Sequence, residues 1–242
     1  MGLYYNGKKV RNLYYNGKCI TRLALGKEMT RLVEGDDFVR ADWLLGTNNA
    51  YISGVKYNVW QNKIQIKVGE VIPMPSATNY GYFVLKDGTN QPNLSISKNV
   101  QNNQDLLQVI FRQNQGHIAD IVPYQGFGES TMTFYVDNGV ATVEQDGFVH
   151  SGETLTESTW NVDIELTNFN NRMAKVSYIR EVLPDGSYRS NLIPCRLLRP
   201  IPATLDANGI ARNADECGMY NSVNGLFYGN VNTNGTFTVS DN

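Results

Sequence analysis

Histidine, the side chain most often recruited for metal binding and acid–base chemistry, is scarce in this chain. His117 and His150 stand alone among 242 residues, and neither has a cysteine or a second histidine at metal-ligand spacing. The sequence also lacks a G-x-S-x-G nucleophile motif, a phosphate-binding glycine loop and a zincin motif. We therefore predict no metal site, no cofactor and no catalytic residue, and hence a protein that is not an enzyme.

Cysteines and long apolar runs are equally scarce. The three cysteines, Cys19, Cys195 and Cys217, do not form a disulfide framework, and an odd count in a chain of this length is typical of reduced thiols in a protein that matures in a cytoplasm. A Cys195–Cys217 bridge stays open as an alternative. No apolar run approaches 18 residues, and the N-terminus has no apolar signal core. We expect neither export by a signal peptide nor a membrane partner.

Turn-forming and strand-forming residues are what the chain has in abundance. Charged residues make up 18% and hydrophobic residues 41%, beside 28 Asn, 22 Gly and 14 Tyr. Asn and Gly tolerate the left-handed backbone of tight turns, and Tyr favours strands. The composition therefore predicts an all-β fold of many short strands joined by turns.

The beginning of the chain is set apart by its charge and by a repeat. Residues 1–32 contain seven basic side chains and one acidic one, whereas the other 210 residues have a net charge of −8. The sequence LYYNGK at residues 3–8 recurs at 13–18, and each Asn-Gly pair predicts a two-residue hairpin turn. Such short hairpins are marginal alone, so they pack either on a partner or on their own chain. A solvated arm without a partner is a further alternative.

We therefore predict two domains, a basic β-hairpin arm over residues 1–34 and a β-sandwich over residues 35–242. The residues expected to attach the arm are Tyr4, Tyr5, Lys8, Tyr14, Tyr15 and Lys18.

Strand candidates follow at short intervals beyond residue 35. Residues 63–68 alternate between polar and apolar side chains, and turn signals at 137–139 and 184–186 each join two strand-like segments. This spacing is typical of an antiparallel sandwich or barrel. Asn/Gln/Gly-rich loops are predicted between the strands of residues 80–85, 106–112 and 117–122, and a long irregular connection over residues 193–213. The other predicted strands are 132–136, 140–143, 160–166, 174–182, 188–193, 219–220, 226–228 and 236–239.

Several motifs resemble concanavalin-like (laminin-G-like) sandwich domains in tail and fibre proteins of gut phages and prophages. NLIPCR at 191–196, GMYNSVNGLFYGN at 218–230 and NGTFTV at 234–239 resemble the ending that closes that jelly roll. NAYISGV at 49–55 is similar to its opening strand, and FYVDNG at 134–139 to its central hairpin. The resemblance covers about residues 38–242. It is interrupted at 198–214, which looks like an insertion, and the opening motif lacks the family's Thr.

The resemblance implies an antiparallel jelly-roll sandwich in a non-enzymatic virion protein. The chain would be a fibre or appendage subunit, assembled in the cytoplasm of a bacterial host as a homotrimer and anchored by its arm to other virion proteins. Host polysaccharide is the ligand that such a sandwich suggests. No fold motif for nucleic-acid binding is present, so we expect no nucleic-acid partner.

Aromatic side chains that stack on sugar rings are the candidate glycan contacts, although most Trp residues of a sandwich belong to its core. An alternative function is glycan hydrolysis by Asp163 and Glu165, which lie two positions apart on one strand face. The alternation of this strand favours the simpler interpretation, in which both acids face solvent. A bacterial surface module that binds glycans is disfavoured by the missing export signal. The candidate glycan contacts are Trp43, Trp60, Trp160 and Tyr124, with Tyr51, Tyr57 and Tyr80 as further options.

Overall fold

The computed structural model describes the backbone of most strands and the side chains of a smaller set of residues. Side chains are described for residues 31–46, 50–55, 57, 61–69, 129–149 and 175–241, and backbone alone for the remaining residues of the strands given below. The chain forms two compact units, Met1–Thr30 and Arg31–Asn242. The division into an arm of residues 1–34 and a sandwich of residues 35–242 stays a prediction.

The first unit contains two antiparallel hairpins, as the repeat predicts. β1 (Tyr4–Tyr5) pairs with β2 (Lys8–Lys9), and β3 (Leu13–Tyr15) pairs with β4 (Lys18–Ile20). Tyr5 pairs with Lys8 and Tyr15 with Lys18, so two residues connect the strands of each hairpin. The predicted hairpins are therefore confirmed at the level of the backbone.

The described strands of the second unit pair with one another in antiparallel fashion. These strands are β5 (Phe38–Arg40), β6 (Trp43–Thr47), β7 (Lys56–Tyr57), β8 (Lys63–Val68), β9 (Asn79–Lys86), β10 (Pro92–Gln101), β11 (Gln104–Gln113), β12 (Gly116–Pro123), β13 (Ser130–Asp137), β14 (Val140–Gln145), β15 (Phe148–Thr154), β16 (Val162–Glu165), β17 (Lys175–Val182), β18 (Tyr188–Leu197), β19 (Cys217–Asn221), β20 (Phe227–Gly229) and β21 (Thr236–Ser240).

The strands form two sheets, which confirms the predicted all-β, antiparallel jelly-roll sandwich. The six-stranded sheet has the order β12-β11-β10-β9-β16-β7. The eleven-stranded sheet follows the order β15-β14-β13-β8-β17-β18-β19-β20, with β5 paired to β18 and β6 lying between β17 and β21. A 3-10 turn at Ala203–Leu205 is the one helical element in the described residues. No described helix is long and apolar enough to cross a membrane.

Alternation along the strands decides which side chains form the core. In β8, Ile64, Ile66 and Val68 are buried, whereas the intervening side chains turn to the opposite face of the sheet. Phe134 and Ile179 on the neighbouring strands β13 and β17 are fully buried on the same face as Ile64. One apolar cluster therefore covers one side of the eleven-stranded sheet. The side chains on the other side do not belong to this core.

Two hairpin turns of the mirror-image type shape the sheet edge. Asn138 and Gly139, at φ +49° and +81°, connect β13 and β14, as the Asp-Asn-Gly signal predicts. Asp146 and Gly147, at φ +47° and +89°, make a second such turn before β15. The second hairpin was not predicted, although its Asp-Gly pair carries the same signal.

Two loop predictions are wrong. The segment between residues 85 and 106 contains β10, which pairs with both β9 and β11 because Leu94 and Ile96 keep strand alternation among Asn and Ser residues. The irregular connection begins after Leu197, since β18 continues through Pro194. On that edge of β18, pairing with β17 ends at Leu192 and pairing with β5 starts at Cys195, so the missing N–H of Pro194 disrupts neither ladder.

The structure decides between the alternatives for two cysteines. Cys195 pairs across the β18–β19 ladder with Gly218, and Cys217 pairs with Arg196. Paired residues share a face and successive residues alternate, so the two thiols lie on opposite faces of the sheet. Both are free thiols, and no Cys195–Cys217 disulfide forms.

Candidate functional site

The side of the eleven-stranded sheet that turns away from the core is polar and aromatic over four adjacent strands. We call this surface the open face; it is formed by alternate residues of β13, β8, β17 and β18, all of them at least partly exposed. Its residues are Tyr135, Lys63, Gln65, Lys67, Lys175, Tyr178, Arg180, Tyr188 and Asn191.

The open face ends where another part of the chain covers the same side of the sheet. Over β18 and β19, the Phe38 ring packs on the Tyr220 ring, with centroids 4.4 Å apart. Arg31 donates from Nε to the Tyr220 hydroxyl at 3.2 Å, and Cys195 and Leu197 lie fully buried beneath this cover. On this side of the sheet, the later part of β18 and the neighbouring part of β19 are therefore closed to a ligand, whereas the start of β18 stays partly exposed.

A groove of about 390 Å³ opens at one end of the open face. The Tyr135 ring, half-buried, forms one wall, and the Lys63 ammonium lies 4.3 Å from the centroid of that ring. Asn62 is 7% exposed and forms part of the floor. The groove is thus a concave surface that combines an aromatic ring, amides and apolar side chains. Its lining residues are Gln61, Asn62, Lys63, Tyr135, Val136, Val182, Leu183, Pro184 and Gly186.

A buried polar network holds the floor of the groove in place. Glu181 is fully buried; it accepts a hydrogen bond from Asn62 Nδ2 at 2.6 Å on Oε1 and one from Arg189 Nε at 2.8 Å on Oε2. Tyr57 is also fully buried, and this burial raises the pKa of its hydroxyl far above the usual range. Because Glu181 has no contact with solvent, it positions Asn62 and does not itself reach a ligand in the groove.

Arg180 lies between two aromatic rings at the centre of the open face. Its Cζ is 3.8 Å from the Tyr178 ring centroid and 5.2 Å from that of Tyr188, and its Nε donates to Asn191 Oδ1 at 2.9 Å. No described residue accepts a hydrogen bond from its Nη nitrogens. The two rings and Asn191 therefore restrict the guanidinium, and its Nη nitrogens are left to donate to a ligand.

The predicted aromatic contacts that the structure describes lie mainly in the interior. Trp43 has 6% of its surface exposed, because its ring packs against Gly69 and beneath Lys67, whose ammonium is 5.4 Å from the ring centroid. Tyr57 belongs to the core, and Tyr51 is half-buried. A sugar contact by Trp43 stays a prediction, and its burial weighs against the role.

Other predicted site residues lie outside the described side chains. Trp60, Trp160 and Tyr124 are outside the described residues altogether, and Tyr80 is described only as backbone of β9. Asp163 and Glu165 occupy alternate positions of β16, paired with Lys86 and Val84. The six predicted arm residues belong to β1, β2, β3 and β4 as backbone. Within the described residues, no group of three or more His, Cys, Asp or Glu side chains is placed to hold a metal ion.

The residues that form the groove and the open face were missed by the sequence analysis. Tyr178 and Arg180 are two positions apart on a strand, and Tyr188 follows the predicted turn at 184–186. That spacing places an arginine beside two tyrosines on one sheet face, a signal that the sequence carries. The burial of Asn62 against Glu181 depends on pairing between β8 and β17 across more than a hundred residues, and it has no local signal.

Comparison with known proteins yields only distant similarities. No protein-family model matches the sequence, and no curated protein matches it. Galectin-Ib of Xenopus laevis is 8% identical, over 55% of this chain and 98% of the galectin, with a TM-score of 0.38. An alginate lyase of Pseudomonas aeruginosa is 14% identical, over 52% of this chain and 68% of the lyase, with a TM-score of 0.39. A toad ovary galectin solved with thio-digalactose is 12% identical, over 53% of this chain and 97% of the galectin, with a TM-score of 0.35. Similarity this low carries no conclusion about function.

Proposed function

We propose that the sandwich binds carbohydrate in the groove and on the adjoining open face. The observation that carries the proposal is the half-exposed Tyr135 ring beside the primary amides of Gln61 and Asn62. An amide both donates and accepts hydrogen bonds, as sugar hydroxyls do, and a tyrosine ring offers an apolar face to the C–H groups of a sugar. Concave sites with apolar walls and a few fixed polar groups are typical of small-molecule recognition.

Preorganisation supports the same proposal. The 2.6 Å hydrogen bond to Glu181 fixes the Asn62 amide before any ligand arrives, so binding costs little side-chain entropy there. Val136, Val182 and Pro184 supply apolar surface around it. None of the residues that line the groove carries a carboxylate, and Glu181 behind its floor is sealed from solvent, which favours binding over hydrolysis by these residues.

Binding of fluorescently labelled full-length protein to whole gut-bacterial cells, with and without competing capsular polysaccharide, tests the proposal. We expect saturable binding that the polysaccharide removes, and a loss of at least tenfold in affinity for Tyr135→Ala, since aromatic stacking and the apolar wall disappear together. The matched control is Phe148→Ala, which removes a ring that is 74% exposed at the other end of the β13–β14 ladder. Equal binding by Tyr135→Ala and unmodified protein would contradict the proposal.

The finer proposal is that the glycan-binding sandwich is part of a phage fibre or appendage, with the hairpin arm attached to other virion proteins. Its support is the sequence resemblance together with the two short hairpins, which bury little surface by themselves. Light scattering should give a homotrimer, and the labelled chain should enter assembling particles. A monomer that stays out of particles would contradict this role.

Glycan hydrolysis is the second candidate, because Asp163 and Glu165 lie at alternate positions of β16 and so on one face of that strand. A release assay for reducing sugar ends on the same polysaccharides tests it. If activity is found, Asp163→Asn and Glu165→Gln should each abolish it; activity that survives both changes would exclude this pair.

A further inference from the structure

The open face carries a line of positive charge along β8 and β17. Lys63 lies across from Val182, Lys67 from Tyr178, and Arg180 and Lys175 belong to β17 itself. Lys175 pairs with Leu45, whose neighbour Leu44 faces the core, so Lys175 shares the side of the sheet that Arg180 occupies. At 3.3 Å per residue, positions 175–182 cover roughly 23 Å. We call these four residues the basic stripe.

Three members of the basic stripe have no carboxylate partner among the residues that the structure describes. Lys67 forms an ion pair with Glu129 at 2.8 Å. Lys63, Lys175 and Arg180 take part in none of the ion pairs of the described residues, in which most other arginines are bound to Asp or Glu. This charge lies on a body whose residues 33–242 have a net charge of −8. Unpaired cations gathered on one face of an acidic body point to an anionic ligand.

Arg180 is the member built most like a binding group. Contact of Cζ with the Tyr178 ring at 3.8 Å and the hydrogen bond from Nε to Asn191 restrict the side chain, and no described residue accepts a hydrogen bond from its Nη nitrogens. A planar guanidinium fixed in this way presents two parallel N–H donors to a carboxylate or sulfate. A lysine at the same place would supply a charge without that geometry.

We infer that the ligand of the open face is an acidic polysaccharide, bearing carboxylate or sulfate groups, with Arg180 as its anion-binding residue and Lys63 and Lys175 as flanking contacts. This inference rests on the proposed function. The groove favours a glycan over nucleic acid, because Gln61 and Asn62 match hydroxyls, which donate and accept, whereas backbone phosphates only accept.

The experiment compares each acidic polymer with its own neutral form. Full-length protein is titrated with polygalacturonate, alginate, hyaluronate and chondroitin sulfate, and with the carboxyl-reduced polymer made from each; chondroitin sulfate is also desulfated. Single-stranded poly-dT is the third arm. We expect at least one acidic polymer to bind, its neutral form to bind at least tenfold more weakly, and the affinity to fall as salt is raised.

Variants assign the effect to named residues. Arg180→Gln and Arg180→Lys should each weaken binding to the acidic polymer at least fivefold, and Lys63→Gln, which changes an exposed side chain, should weaken it less. Arg196→Gln is the control, because Arg196 is an exposed arginine paired with Asp215 and lies outside the open face. Thermal unfolding of every variant shows whether the fold is kept. If Arg180→Gln unfolds, Arg180→Lys and Lys63→Gln still test the site.

Each result has a distinct meaning. Equal binding of acidic and neutral forms, or binding of neutral forms alone, overturns the inference and leaves the proposed carbohydrate function standing. Binding of poly-dT as tight as that of the best polysaccharide overturns it in favour of a nucleic-acid surface. No binding to any polymer and no polysaccharide-sensitive binding to cells overturns both proposals. Loss of acidic-polymer binding in the Arg180 variants, with Arg196→Gln unchanged, supports the inference.

Discussion

At the scale of single residues, burial separates the chemistry of two thiols that lie on adjacent strands. Burial raises the pKa of the Cys195 thiol far above its usual range, and it also raises the pKa of the half-buried Cys217. A raised pKa lowers the fraction of reactive thiolate at a given pH. Cys195 is fully buried beneath the Phe38–Tyr220 cover, which adds a steric barrier to the electrostatic one.

We therefore expect iodoacetamide at pH 8 to alkylate Cys217 slowly and Cys195 not at all in the folded protein, when the Cys19→Ser variant is used to remove the third thiol. Peptide mass spectrometry measures both sites in one digest, and labelling in urea is the control that makes both react. Equal labelling of the two sites without urea would contradict the burial of Cys195.

The burial of single side chains could be predicted from the sequence at some positions and not at others. The burial of Ile64 and Ile66 follows from alternation within six residues, and the structure confirms it. Trp43 is covered by Gly69 and Lys67, about 25 residues further along the chain, and no local pattern reports that contact. A side chain's role in a sheet is predictable when its neighbours in sequence decide it, and not when a distant strand does.

At the scale of elements, the β13–β14 hairpin depends on a backbone that few residues adopt. Gly139 is at φ +81°, in the left-handed region where a Cβ is unfavourable. Gly139→Ala should lower the free energy of unfolding by about 1–2 kcal/mol. Asn138→Gly, at φ +49°, should cost less, because glycine adopts that backbone without strain.

Urea denaturation of the two variants measures these differences. Since Tyr135 lies on the same hairpin, Gly139→Ala should also weaken carbohydrate binding by a small factor, whereas Asn138→Gly should not. A Gly139→Ala variant as stable as the unmodified protein would mean that the turn tolerates another conformation.

Elements joined by short turns were the easiest part of the fold to predict. The segments around Asn138-Gly139 and around Pro184 to Gly186 carry their own turn chemistry, and both hairpins formed as predicted. β10 was missed because its Asn and Ser residues read as loop, while its two neighbouring strands supply the hydrogen bonds that make it a strand. Pairing between strands that are distant in sequence, such as β8 with β17, has no comparable local signal.

At the scale of the whole molecule, the described apolar core lies entirely within the second compact unit. Its described buried residues run from Leu44 to Phe237, and Arg31–Asn242 forms a compact unit by itself. Residues 31–242 expressed alone should therefore fold and melt within a few degrees of the full-length chain. Differential scanning calorimetry makes the comparison, and circular dichroism confirms β structure. Aggregation or a melting point more than ten degrees lower would show that the first thirty residues contribute to the core.

The basic stripe has a consequence for how the molecule meets a charged surface. Residues 33–242, taken without the basic residues 1–32, are acidic as a whole, so an anionic layer repels this part of the protein except in the orientation that presents the stripe. Electrostatic forces thus favour one orientation of the protein relative to the layer before the two are in contact. At physiological ionic strength this selection acts only within about 8 Å, the screening length, so the protein is turned toward the layer in the last step of its approach.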